Sequence, residues 1–148
     1  MSTHTAISYH IVFSTKDRTP ALRQDRREDL FRYISGIAQN RHGHLYRING
    51  VEDHVHILTS LHPTVCLADF VKDIKTGSSQ WIKENSVFQR FSNWQEGYGA
   101  FTCSKREIAG LIEYIKEQEQ HHRKVKFEEE YRKLLLKAGV EFDERYML

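Results

Sequence analysis

The chain has 148 residues, enough for one domain and short for two, and its 39% hydrophobic and 28% charged residues are the balance of a folding chain, not a disordered one. No apolar run approaches the roughly 18 residues of a membrane helix, the opening MSTHTAISYH lacks a secretory core, and Cys66 and Cys103 form no Cys-x-x-Cys pair, which leaves no disulfide framework or cysteine zinc site. The expectation is one cytoplasmic domain spanning residues 1–148 whose net charge of +2 is uneven, with eight Lys or Arg against four acids between Lys16 and Arg47 and ten of each from Lys105 onward.

In chain order, Tyr9 to Ser14 (YHIVFS) reads as a covered strand, with Tyr9, Ile11 and Phe13 on one side and Val12 on the other. Leu30, Phe31, Ile34, Ile37 and Ala38 then recur at helical spacing between Gln24 and Arg41, with Arg26, Arg27, Arg32 and Arg41 mostly off that stripe, which predicts a basic amphipathic helix stopped by Gly43. His44 to Val51 and His54 to Leu61 read as a hairpin around Glu52 and Asp53. Leu67, Phe70, Val71 and Ile74 mark a second helix that can run on through Trp81, with Gly77 weakening its middle.

Gly97 to Cys103 is strand-compatible, and Ser104 with Glu107 has the spacing of a capping box that opens a third helix on Ile108, Leu111, Ile112 and Ile115. A last helix is predicted from Phe127 to Ala138, ended by Gly139. Strand, helix, strand, strand, helix, strand, helix points to an α+β fold of the split βαβ, ferredoxin-like kind.

His54-Val55-His56 carries the most chemistry, since a two-residue interval on a strand aims both imidazoles at one face, where they can share a metal ion. Such a pair also occurs as surface or satisfied polar residues. On the third helix Tyr114 lies off the apolar stripe, Gln118 follows one turn later on the same flank, and His121 continues it. Tyr114 therefore reads either as a rim tyrosine or as a phenol facing a ligand. Glu52 shares strand parity with the histidines and would approach the ion if the strand began early.

The blocks YHIVFSTKDR, DHVHIL, GYGAFTCSKREI and EYIKEQEQHHRK, in this order and spacing, resemble the TnpA-like, single-tyrosine transposases of the insertion-sequence 200/605 (IS200-like) family, members of the His-hydrophobe-His (HUH) class. The resemblance runs from Tyr9 to the terminal DERYML. It implies a ferredoxin-like or RRM-like antiparallel sheet with the catalytic tyrosine on a C-terminal helix. It also implies Tyr114 as nucleophile, His54, His56 and Gln118 as ligands of Mg2+ or Mn2+, and cleavage and rejoining of single-stranded DNA through a 5′-phosphotyrosine. The implied partners are single-stranded DNA with subterminal hairpins and a second copy of the chain, whose tyrosine helix can complete the site in trans. Lys16, Arg18, Arg26, Arg27 and Lys75 are the candidate DNA contacts. His121 and His122 match a family block without a catalytic role. Two other readings stay open: a domesticated repeat-associated or replication-initiator nickase, and a noncatalytic nucleic-acid module that would stack bases on the GYGAF strand.

Overall fold

A computed structural model describes residues 2–147. It contains four strands, β1 (Ser8–Ser14), β2 (Leu45–Gly50), β3 (His54–Ser60) and β4 (Gly99–Cys103), in one antiparallel sheet of order β2-β3-β1-β4. Helices α1 (Gln24–Asn40) and α2 (Leu67–Glu84) are the two crossovers of the split βαβ arrangement. Three more follow β4: α3 (Lys105–Lys116), α4 (Gln118–His122) and α5 (Phe127–Ala138). The α+β, ferredoxin-like expectation and the element order agree with the structure.

Strand alternation gives the sheet two different faces. Ile11 and Phe13 of β1 and Val55 and Ile57 of β3 point to one side, where Leu30, Phe31 and Ile34 of α1 and Phe70, Val71 and Ile74 of α2 cover them in the main core. The other side carries His10 and Val12 of β1 and His54 and His56 of β3; Val12 pairs with His56 in the ladder and packs under Phe127, Tyr131 and Leu135 of α5. One face of the sheet is thus ordinary core, and the opposite one holds histidines beneath a helical cover.

Ser104 and Glu107 form the expected capping box, with Ser104 N donating to Glu107 Oε1 at 2.9 Å. The third helix does not run unbroken to His122. It is interrupted at Glu117 (φ −95°, ψ 20°), where α4 begins, so Tyr114 and Gln118 stand on either side of a kink. Among the described residues no helix is long and apolar enough to cross a membrane.

Candidate active site

β3 presents His54 and His56 on the covered face, both fully buried, with Val55 in the opposite core. Each imidazole is oriented by a partner on its other nitrogen. His54 donates Nδ1–H to Asp53 Oδ1 at 2.8 Å, which leaves Nε2 facing inward. His56 Nδ1 lies 2.8 Å from His10 Nε2 on β1 and its Nε2 3.1 Å from Glu130 Oε1. The neutral ring donates to one of the two: donation to Glu130 holds that carboxylate in the absence of a cation, and donation to His10 frees Nε2 for one. Burial, reinforced by neighbouring His56, lowers the His10 pKa to about 3, so His10 stays neutral and can accept that bond.

α4 brings Gln118, fully buried, above the pair with Oε1 3.4 Å from His54 Nε2. α3 brings Tyr114 to the edge of the same pocket, its ring 5.9 Å from that of His56 and 6.3 Å from that of His10, centroid to centroid. The phenol is half-buried, neither lost in a packed interior nor free in solvent. Tyr114, His54, His56 and Gln118 therefore meet within a single copy of the chain, an arrangement in cis.

Two participants were not assigned from the sequence. Glu130 of α5 is 2% exposed and reaches into the center of the cluster. Its Oε1 lies 3.0 Å from His122 Nε2, 3.1 Å from His56 Nε2 and 3.3 Å from His54 Nε2. Its Oε2 accepts the Tyr114 hydroxyl and the Gln118 amide, the latter at 3.2 Å. The signal was available: Glu130 sits in the buried stripe of α5, between Phe127, Tyr131 and Leu135, where an acid is out of place unless something holds it. His122, expected to play no catalytic part, joins the same group. Glu52 does not. β3 starts only at His54, so Glu52 falls in the turn, exposed, with its Oε1 3.9 Å from Arg27.

The electrostatics follow from these contacts. Burial works against a charge on Glu130, yet hydrogen bonds from His122, His54 and His56 outweigh it and keep the carboxyl ionised far below the usual range. Burial also opposes a proton on His54, but hydrogen bonds to Asp53 and Glu130 prevail and its pKa is raised. Burial together with the Glu130 charge drives the Tyr114 phenol well above its ordinary value. Burial and the neighbouring Glu130 carboxylate thus keep the phenol protonated.

His54, His56, His122 and Glu130 offer donor atoms that all lie within 4.8 Å of one another, and Gln118 adds an amide oxygen. This mixed nitrogen and oxygen set suits a first-row divalent cation.

The match with the IS200-like transposase model covers residues 3–118. The chain belongs to the IS200-like transposase family. The transposase for insertion sequence element IS200 from Salmonella typhimurium is 26% identical over 115 residues, covering 74% of this chain and 75% of the relative. A transposase candidate from Deinococcus radiodurans has a crystal structure with a TM-score of 0.62 at 23% identity, covering 80% of this transposase and 95% of that chain. A REP-associated tyrosine transposase bound to a REP hairpin also gives 0.62, at 13% identity, over 100% of this chain and 92% of the other, and shares the fold.

The candidate DNA contacts divide by position. Lys16 and Arg18 are exposed just beyond the end of β1, and Thr15 N donates to Asp53 O at 2.9 Å, which places them beside the histidine end of the sheet. Arg18 lies 3.4 Å from Glu128 of α5, two residues before Glu130. Arg26 is half-exposed and bonded to Asp29 at 2.8 Å. Lys75 sits on α2, across the sheet from the site, and donates to the carbonyls of Gln95 and Gly97. Arg27, expected on the surface, is 5% exposed because its guanidinium turns inward to Leu22 O at 3.0 Å and Glu119 at 2.8 Å. That leaves it little surface to offer a phosphate. The base-stacking reading of GYGAF also loses ground, since Phe101 packs against the cover formed by α5.

Proposed function

We propose that this transposase cleaves and rejoins single-stranded DNA through a covalent bond to Tyr114. The observation that carries the reading is the convergence of the Tyr114 phenol, the His54 and His56 imidazoles and the Gln118 amide in one pocket. His54, His56 and Gln118 would hold Mg2+ or Mn2+. Such an ion supplies charge compensation at a non-bridging phosphate oxygen, which a phosphodiester needs before it becomes a competent electrophile.

The chain's own groups account for the rest. Asp53 fixes the tautomer that aims His54 Nε2 inward, and His10 can accept from His56 Nδ1–H when His56 Nε2 is needed as a donor to the ion. Tyr114 Oη attacks phosphorus in line, the P–O3′ bond breaks, and the products are a 5′-phosphotyrosine and a free 3′-OH. The phenolic proton passes to solvent as the new P–O bond forms, and the departing 3′ oxygen takes one up from solvent. Attack by the 3′-OH of another strand reverses these steps, so bond energy is conserved and no high-energy cofactor is consumed.

Lys16 and Arg18 would meet phosphates near the pocket and Arg26 those farther along α1, and the hairpin-bound relative supports a folded single strand as the ligand. A homodimer would bring two such ends together, with each copy able to use its own Tyr114. The noncatalytic alternative gives no reason to gather a phenol, a carboxamide and two imidazoles in one buried pocket.

The test is incubation with labelled single-stranded DNA from the flanks of its gene plus Mn2+ or Mg2+, read on a denaturing gel. A covalent adduct is expected for the wild type, and its loss in Tyr114→Phe with DNA binding retained. An adduct that persists unchanged in Tyr114→Phe removes the nucleophile assignment.

A further inference from the structure

Glu130 lies beyond the residues matched by the family model, which end at Gln118. It is a carboxylate on the buried stripe of α5, where Phe127, Tyr131 and Leu135 pack against the sheet. Burying a carboxylate this deeply is costly unless it is paired, and an apolar residue would have filled the position at no such cost. The two oxygens are used differently. Oε1 faces the three inward Nε2 atoms of His54, His56 and His122, all within 3.3 Å, while Oε2 receives Tyr114 and Gln118 and lies 3.2 Å from His121 Nε2 at the outer edge.

We infer that Glu130 is a further protein ligand of the cation, through Oε1, and that Oε2 holds the Tyr114 hydroxyl beside it. This rests on the metal-dependent reading above. The size of the cluster fits: ligand bonds of about 2.0–2.2 Å let one ion span donors roughly 4.4 Å apart, so a set lying within 4.8 Å needs only a small contraction. The chemistry fits as well. The three imidazoles alone favour zinc, copper, iron or nickel, whereas an added carboxylate and amide oxygen supply the hard donors that manganese accepts. One side chain then links nucleophile and cation, which makes Glu130 a ligand and a positioning residue for Tyr114. A Glu130 present only to neutralise the histidines would affect folding, and its loss would lower cation affinity no more than the loss of an outer partner does.

The experiment is Mn2+ titration of the full chain by calorimetry and electron paramagnetic resonance, comparing wild type, Glu130→Gln and His54→Ala, with folding checked by circular dichroism. Glu130→Gln is expected to weaken Mn2+ binding by more than about 100-fold, beyond the 10–100-fold that outer partners of a metal site contribute. A loss below about 100-fold in folded Glu130→Gln, with binding lost in His54→Ala, overturns this inference and spares the metal-dependent reading. No Mn2+ binding by the wild type overturns the parent reading, and this one with it. If Glu130→Gln does not fold, anomalous diffraction from Mn2+-soaked wild-type crystals decides: a manganese peak in bonding contact with the Glu130 carboxylate supports the assignment, and a peak held by the imidazoles with that carboxylate turned away refutes it.

Discussion

The Arg27 guanidinium donates to the Glu119 carboxylate at 2.8 Å and so ties α1 to α4 at the residue next to Gln118. Because the same guanidinium also holds Leu22 O, a basic residue of the first helix acts as an internal brace for the helix that carries the carboxamide. Arg27→Met keeps the apolar stem and removes these bonds. It is expected to cost about 1–3 kcal/mol, the usual range for hydrogen bonds to a charged group, discounted at the Glu119 end by solvent. Thermal unfolding should show the loss, whereas affinity of the folded protein for hairpin DNA should stay within twofold. Arg18→Ala should do the reverse. A drop in DNA affinity with an unchanged Tm for Arg27→Met would return this residue to the phosphate contacts.

Period-two and period-3.6 patterns find β1, α1 and α3 because burial of one face imposes them, and His54-Val55-His56 follows from strand alternation alone. A basic helix face, by contrast, does not reveal which arginine turns inward, since that depends on Glu119, 92 positions away. Glu130 illustrates the same limit from the other side. Its place in an apolar stripe marks it as unusual, but the three imidazoles that explain it come from β3 and α4, through contacts that no local pattern encodes. The break at Glu117 was hidden because the residues around it are ordinary helix formers.

Gly50, the last residue of β2, leaves no room for a side chain. A Cβ there would stand 2.4 Å from the His54 carbonyl oxygen and 3.1 Å from Val55 Cα, both backbone atoms that cannot move aside alone. Gly50→Ala is therefore expected to destabilise the protein by about 1–3 kcal/mol, as overpacking does, and to weaken Mn2+ binding by shifting the start of β3. Gly110→Ala is the control: nothing lies within 4 Å of its Cβ position in α3, and the change should stabilise by up to about 1 kcal/mol. Paired melting curves and Mn2+ titrations check both. Equal behavior of the two variants would show that the β2–β3 contact does not set the position of His54.

The stability of the metal-free protein should depend on pH through His10. Its folded pKa of about 3 lies below the ordinary value of 6.5, so the unfolded chain takes up a proton that the fold refuses. That contribution is whole above pH 6.5 and is lost as pH falls from there toward 3, at a rate approaching about 1.4 kcal/mol per pH unit for one group. His56, lowered to about 4 mainly by burial, acts in the same direction. His54, whose pKa is raised, opposes them by losing its contribution as pH rises. In EDTA the Tm of the wild type should fall between pH 7 and pH 5, and His10→Gln, which cannot take up the proton, should show a shallower slope. Parallel slopes for the two proteins would remove His10 from this account.

Asp53 tests whether the orientation of His54 matters to the cation. Its carboxylate accepts the Nδ1–H at 2.8 Å, which selects the tautomer with a free Nε2 and makes that nitrogen a stronger donor. Outer partners of this kind contribute about 10–100-fold to metal affinity. Asp53→Asn retains the shape and an acceptor oxygen but removes the charge, so Mn2+ affinity should fall by roughly the lower end of that range, about tenfold. Its Tm without metal should fall as well, because the carboxylate helps to raise the His54 pKa. The two effects separate on titration: with saturating Mn2+ the adduct yield on single-stranded DNA should recover to near wild type. A yield that stays low at saturation would place Asp53 in the reaction itself instead of behind the metal ligand.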